Sequence, residues 1–86
     1  MKASDSPLRY SMLIRWSDDD QVYIVEVPEL PGCKTHGKTY EEALTQAQDA
    51  IEAWIYGHRA AGYPIPKPAV YHASDARVSH PLRQSQ

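Results

Sequence analysis

Hydrophobic and polar residues alternate in two stretches of the chain. In residues 9–16 every second side chain is apolar and lies on one side, and residues 21–27 resume the same alternation. A period of two is typical of β-strands with one buried face. Residues 17–20, which read Ser-Asp-Asp-Asp, interrupt the pattern with side chains that hydrogen-bond to nearby backbone and favour turns. The pattern therefore predicts an antiparallel hairpin.

The second predicted strand is partly apolar on both faces. Val22 and Ile24 lie on the face opposite Val25. Leu13 of the first strand lies on the same face as these two residues. A sheet that is covered by one helix needs only one apolar face, so these three residues predict contact with another chain. Single apolar residues are also normal at protein surfaces, and the sequence leaves both interpretations open.

A turn and a helix start follow the hairpin. The prolines of residues 28–32 lack ladder donors, and Pro31-Gly32 suits the central positions of a type II turn. Residues 33–37 predict a short third strand. Thr39 then begins a Thr-x-x-Glu motif, in which Glu42 predicts a capping box at the start of a helix.

From residue 40 onward the apolar residues recur at helical spacing. The predicted buried stripe consists of Tyr40, Leu44, Ala47, Ile51, Trp54 and Ile55. Polar residues lie opposite, so we expect an amphipathic helix of about five turns or slightly more, ending near Gly62. Residues 63–68 contain a proline at every second position and cannot continue the helix. Residues 69–71 predict a last edge strand.

The predicted order is strand-strand-strand-helix-strand. It corresponds to a small two-layer α+β domain, in which one helix covers one face of an antiparallel sheet. We expect residues 1–8 to form a flexible N-terminal arm, residues 9–71 the domain and residues 72–86 a polar C-terminal tail. Because a chain of 86 residues buries a smaller fraction of its surface on folding than a larger protein does, self-association would stabilise it. The candidate oligomer contacts are Leu13, Val22, Ile24 and, on the edge strand, Val70.

Composition and charge narrow the classes of function. Cys33 is the only cysteine, which excludes an intramolecular disulfide and a multi-cysteine zinc site. The net charge is −2 and the basic residues are scattered, so the chain lacks the basic patch of a nucleic-acid-binding protein. No apolar run approaches the ~18 residues that span a bilayer, and the start of the chain has no apolar signal-peptide core. We expect a cytoplasmic protein that does not bind membranes.

The sequence contains no pattern that predicts catalysis. The adjacent carboxylates of residues 18–20 lack the ligand spacing of a calcium loop and suit a turn instead. On a strand, Cys33 and His36 would lie on opposite faces and could not act as a thiolate–imidazole pair. The four histidines include no pair at the i, i+4 spacing of a helical metal site. We therefore expect a protein that is not an enzyme and has no metal or cofactor.

The stretch from Val27 to Leu44 reads VPELPGCKTHGKTYEEAL. It combines a Pro-x-Leu-Pro-Gly-Cys turn with Gly-x-Thr and with Glu-Ala at the head of the helix. The residues of this pattern are Pro28, Leu30, Pro31, Gly32, Cys33, Gly37, Thr39, Glu42 and Ala43. In this pattern the chain resembles the HicB-like antitoxin family. The likeness extends to residues 10–14, 23–27 and 64–66, and it implies the same strand-strand-strand-helix-strand fold.

The resemblance also implies a function and a partner. HicB-like proteins bind and block HicA, a small toxin that cleaves mRNA. The resemblance therefore implies that the partner of this chain is a HicA-like toxin. Many members carry a C-terminal helix-turn-helix or ribbon-helix-helix that binds DNA. The tail of this chain has no apolar period for a recognition helix, and we do not expect this chain alone to bind DNA. The alternative is an orphan oligomeric module that has no toxin and binds another protein or a small ligand.

Acidic residues are the candidate partner-binding groups. A toxin that binds RNA should be basic, and carboxylates would attract it electrostatically. The candidates are Asp18, Asp19, Asp20, Glu26 and Glu29. The same residues are also explained as solvated charges of turns and surfaces, and the sequence does not decide between the two interpretations.

Overall fold

The computed structural model describes residues 9–73, which form three β-strands and one long α-helix. The strands are β1 (Leu13–Ser17), β2 (Val22–Glu26) and β3 (Lys34–Gly37), and the helix is α1 (Tyr40–Ala60). The strands form an antiparallel sheet in the order β1-β2-β3. The predicted α+β class is confirmed. The predicted arm 1–8 and most of the predicted tail, residues 74–86, lie outside the described residues.

The β1–β2 hairpin has the predicted position. Trp16 pairs with Tyr23, and Ser17 pairs with Val22, so the turn consists of residues 18–21. The Gln21 N–H donates to the Ser17 carbonyl at 2.7 Å, and Gln21 has a φ of 57°. This left-handed conformation lets the chain reverse direction between the two strands.

The Pro-Gly turn also forms as predicted. The Cys33 N–H donates to the Leu30 carbonyl at 2.9 Å, and Gly32 between them has a φ of +81°. A type II turn requires a positive φ at its third position, which glycine adopts without strain. The turn buries Leu30, whose side chain is 1% exposed.

Thr39 caps the start of α1. Its side chain accepts a hydrogen bond from the Glu42 N–H at 3.0 Å. The Glu42 carboxylate in turn accepts one from the Lys38 N–H at 2.6 Å, one residue before the cap. The reciprocal arrangement of a capping box is therefore present, with the return bond shifted by one residue.

The core lies between α1 and the strands β2 and β3. The side of α1 that faces the sheet carries Ala43, Ala47, Ile51 and Ile55, all buried. Ala43 and Ala47 pack with Val25, while the two isoleucines pack with residues of the Pro-Gly turn and with Tyr10. Because alanine side chains are small, the first half of α1 lies close to the sheet.

This close approach corrects the predicted helix stripe. Tyr40 and Leu44 are 63% and 43% exposed, although their spacing placed them on the buried side. The buried stripe begins instead at Ala43, since Gly37 of β3 leaves room there for the backbone of α1. The larger side chains of Tyr40 and Leu44 consequently lie at the flank of the helix.

The predicted last edge strand is not formed. Residues 63–72 have no strand conformation, and Val70 therefore belongs to no sheet edge. Three prolines in residues 63–69, hereafter the proline segment, cannot donate backbone hydrogen bonds. The Ala69 N–H donates to the Glu29 carboxylate at 2.9 Å rather than to a neighbouring strand. The sheet of the described residues thus has β1 and β3 as its edges.

Candidate interaction surfaces

The five acidic candidates do not share one surface. Asp18, Asp19 and Asp20 lie together in the exposed β1–β2 turn. Glu26 and Glu29 lie at the end of the sheet away from this turn, where Glu26 is beside basic side chains and Glu29 contacts the Ser11 backbone. Only the residues of the turn therefore form an acidic surface, which we call the acidic turn (residues 18–20).

Hydrogen bonds order the acidic turn without neutralising it. The Asp18 carboxylate accepts from the Trp16 indole N–H at 3.2 Å, and the Ser17 hydroxyl accepts from the Asp20 N–H at 3.2 Å. The Gln21 side chain donates to the Asp18 carbonyl at 2.8 Å. No cation contacts these carboxylates within the described part of the chain. Their negative charge remains available to a partner.

Glu26 is compensated by two basic neighbours. Its carboxylate lies 3.4 Å from the Arg15 guanidinium and 3.9 Å from the Lys34 ammonium. All three side chains are substantially exposed, so each pair contributes little to stability. The pairs nevertheless cancel the local negative charge, which makes Glu26 a weak candidate for attracting a cation.

Glu29 acts as a structural clamp. Its carboxylate accepts hydrogen bonds from the Ser11 N–H at 3.0 Å, the Ser11 hydroxyl at 2.9 Å and the Ala69 N–H at 2.9 Å. Partial desolvation raises the pKa of the Glu29 carboxyl, but the hydrogen bonds from Ala69 and Ser11 outweigh it, and the net pKa is lowered. The clamp joins the segment before β1 to the proline segment, which no local sequence pattern predicts.

The face of the sheet opposite α1 contains the three apolar candidates of the sheet. Leu13 is 46% exposed, and Val22 and Ile24 are partly buried. Ile24 pairs with Arg15 on one side and with His36 on the other, so charged and polar side chains border this face, which we call the open face. Val70 is 43% exposed but lies after the proline segment, outside the sheet.

An aromatic cluster lies next to the acidic turn and was not predicted. The rings of Trp16 and Tyr23 are 5.0 Å apart in an edge-on arrangement, and those of Tyr23 and Tyr40 are stacked at 4.2 Å. Trp16 and Tyr40 are 47% and 63% exposed. We call these three residues the aromatic ladder. Burial and the neighbouring Tyr40 hydroxyl raise the pKa of Tyr23.

The sequence contained part of the signal for this cluster. Trp16 and Tyr23 flank the turn symmetrically, which makes them cross-strand partners in the hairpin. The stacking of Tyr40 depends on where α1 crosses the sheet, and helical spacing alone assigned Tyr40 to the core. The sequence alone shows an aromatic residue at each end of a tight turn, and this pair is the part of the cluster that could have been predicted.

Cys33 and His36, which lie close together in the sequence, differ in burial. Cys33 is buried and free, and burial raises the pKa of its thiol, which favours the unreactive protonated form. His36 is exposed in β3. No group of three or more His, Cys, Asp or Glu side chains is arranged to hold a metal ion among residues 9–73. Within the same residues, no helix has the length and hydropathy to cross a membrane.

The chain is similar in sequence to known proteins. Residues 10–80 match the family model described as HicB-like antitoxin of bacterial toxin-antitoxin system. The UPF0150 protein Ta0767 of Thermoplasma acidophilum is 42% identical over 60 residues, which are 70% of this chain and 86% of that protein. A UPF0150 protein of Archaeoglobus fulgidus is 35% identical over 48 residues, 56% of this chain and 68% of the relative.

A solved structure has a similar backbone. The crystal structure of TTHA0281 from Thermus thermophilus superposes with a TM-score of 0.59 at 25% sequence identity. The alignment covers 79% of this chain and 88% of that chain.

Proposed function

The chain belongs to the HicB-like antitoxin family of bacterial toxin–antitoxin systems, and from this membership we propose that it binds and neutralises a HicA-type toxin that cleaves mRNA. The observation that carries the proposal is the family match over residues 10–80, which includes β1, β2, β3 and α1. An antitoxin of this kind acts by covering the toxin, so it needs a binding surface and no catalytic residues. We propose that both proteins act in the cytoplasm, where mRNA is translated.

Charge supports this choice of partner. A protein that binds RNA needs basic residues to contact the phosphates. The acidic turn has no neutralising cation in the described part of the chain, and the whole chain has a net charge of −2. Opposite charges accelerate association and favour the correct partner over RNA, which the acidic turn repels.

Growth rescue tests the proposal directly. Where a gene beside this one encodes a short basic protein, that protein is expressed alone and together with this chain in the same host. We expect the neighbour alone to arrest growth and degrade mRNA, and co-expression to restore growth and yield a complex on purification. The control is the same plasmid with a stop codon early in this gene. Absence of both rescue and co-purification would refute the proposed function.

The open face favours a second candidate function, an oligomeric module that has no cognate toxin and binds another protein or a small ligand. Leu13, Val22 and Ile24 lie on this face away from α1, where no other element of residues 9–73 covers them. We propose that two or more copies associate through this face. The absence of a short basic gene beside this one would favour this candidate.

Light scattering at micromolar concentration measures the association. We expect at least a dimer for the wild type and a monomer for Ile24→Glu, since a buried unpaired carboxylate is costly at an interface. Ala53→Glu, at an exposed position of α1, is the matched control and should not change the mass. A monomeric wild type would contradict the proposed assembly.

A further inference from the structure

We propose that the aromatic ladder and the acidic turn together form one docking surface for an arginine- or lysine-rich segment of a protein partner. The identity of that partner rests on the proposed antitoxin function. The location of the surface rests on the geometry of the hairpin and of the start of α1.

The two halves of the surface are one structural unit. Trp16 and Tyr23 are paired residues of β1 and β2, and the acidic turn lies in the loop that connects them. The hydrogen bond from the Trp16 indole to the Asp18 carboxylate, at 3.2 Å, holds the ring against the turn. A ligand that contacts the Trp16 ring therefore also lies near carboxylates.

The start of α1 completes the surface. Tyr40 is the first residue of α1, and its ring stacks on Tyr23. Glu41, the next residue, adds an exposed carboxylate in the first turn of the helix. The cap at Thr39 orders this turn before any partner binds, so little side-chain and backbone freedom is lost on binding.

The chemistry of the surface selects a basic ligand. Guanidinium and ammonium groups bind over the faces of Trp and Tyr rings and also pair with carboxylates, so both halves favour the same ligand. Aromatic residues are enriched at protein interfaces, and Trp and Tyr are common among the residues that contribute most to binding. RNA or an acidic partner would be repelled by the turn.

The side-chain NMR signals of the two tryptophans provide a direct test. The protein is titrated with a blocked peptide of alternating arginine and glycine, and with the same peptide in which citrulline replaces arginine. We expect the Trp16 indole N–H signal to shift with the arginine peptide only. The Trp54 indole donates to the Pro31 carbonyl at 3.0 Å, far along α1 from Tyr40, and should not shift. No shift of Trp16, or an equal shift with citrulline, would refute the docking surface.

Substitutions test each half of the surface. Tyr40→Ala should weaken binding of the arginine peptide by about tenfold and Asp19→Asn by about threefold. Tyr56→Ala is the matched control for the ring, since Tyr56 is 77% exposed on the same helix, and Asp49→Asn is the control for charge. Asp19 accepts no hydrogen bond from another described residue, so its substitution leaves folding intact. Equal losses in the control variants would show that the surface is not specific.

The co-expressed neighbour separates this inference from the proposed function. If the toxin binds wild type, Tyr40→Ala and Asp19→Asn equally tightly, the docking surface is wrong and the antitoxin function stands. If no toxin binds but the arginine peptide shifts Trp16, the docking surface stands and the toxin is not its partner. If both variants lose toxin binding while Tyr56→Ala retains it, both proposals are supported.

Discussion

Gly37 is the residue at which β3 and α1 come closest. A Cβ atom at this position would lie 2.3 Å from the backbone nitrogen of Ala43 and 2.6 Å from its Cα. Backbone atoms cannot move aside as the end of a side chain can, so any larger residue must displace the helix. The small side chains of Ala43 and Ala47 serve the same close contact, since both are fully buried. The small size of these glycine and alanine residues thus determines how closely α1 packs against the sheet.

Gly37→Ala should therefore destabilise the domain by about 3 kcal/mol, because the added methyl overpacks a rigid contact. Gly57→Ala is the matched control. Position 57 lies within α1, and a Cβ added there would meet no atom within 4 Å apart from the adjoining helix backbone, so alanine should stabilise the domain by about 1 kcal/mol. Denaturant unfolding of both variants measures the difference. Equal stabilities of the two variants would contradict the close contact.

At the scale of elements, the ends of α1 are defined locally. The Thr39 side chain satisfies the Glu42 N–H, and the Glu42 carboxylate satisfies the Lys38 N–H. At the other end, the Gly62 N–H donates to the Arg59 carbonyl at 3.1 Å, and Gly62 has a φ of +84°. Such contacts involve residues close in sequence, which is why sequence patterns predict them well.

Thr39→Ala removes the cap and should lower the free energy of unfolding by about 1 kcal/mol. Because Tyr40 follows directly, the same variant should also loosen its stacking on Tyr23, which near-ultraviolet circular dichroism detects. Thr45→Ala, at an exposed position inside α1, is the control and should have no destabilising effect. If Thr39→Ala unfolded at the wild-type denaturant concentration, the cap would be energetically unimportant.

The elements also show where prediction from sequence ends. The hairpin, the type II turn at Gly32 and the cap at Thr39 depend on neighbouring residues, and all three are confirmed. The exposure of Tyr40 depends on where α1 crosses the sheet. In place of the predicted edge strand, Ala69 donates a hydrogen bond to Glu29, which is 40 residues away in the sequence. Hydrophobic periods and turn motifs span only a few residues, so they do not predict contacts between residues this far apart in the sequence.

Some features of the candidate surfaces were likewise predictable from local sequence patterns, and others were not. The exposed position of the acidic turn followed from turn chemistry, and the apolar residues of the open face followed from alternation. The neutralisation of Glu26 required the register of three strands, which places it beside Lys34. The structural role of Glu29 required the path of the proline segment. Local patterns thus identified the carboxylates but not which of them remain free to bind.

At the scale of the whole molecule, contacts distant in sequence hold the irregular segments to the core. The Tyr10 hydroxyl donates to the Pro66 carbonyl, and the Glu29 carboxylate accepts from Ser11 and from Ala69. Because the proline segment has few N–H groups, these side chains replace the ladder bonds that a strand would have made. The clamp at Glu29 therefore makes the attachment of this segment depend on pH.

The lowered pKa of Glu29 determines the direction of that dependence. Since the folded state favours the ionised carboxyl, this contribution to stability is complete above the ordinary glutamate pKa and is lost as pH falls through the lowered value. Glu29→Gln should cost about 1 kcal/mol at neutral pH, and its stability should approach that of the wild type in acid. Unfolding measured from neutral to acidic pH tests this, with Glu52→Gln as the control. A constant difference between variant and wild type at all pH values would contradict the clamp.

The two tryptophans lie toward opposite ends of α1 and have different surroundings. Trp16 is next to the hairpin turn and 47% exposed, whereas Trp54 stacks on His58 with ring centres 3.5 Å apart. Their fluorescence therefore reports on separate parts of the molecule. Replacing either one with phenylalanine leaves a single tryptophan, so stopped-flow traces of tryptophan fluorescence from the two variants would follow events at the hairpin and near the proline segment independently.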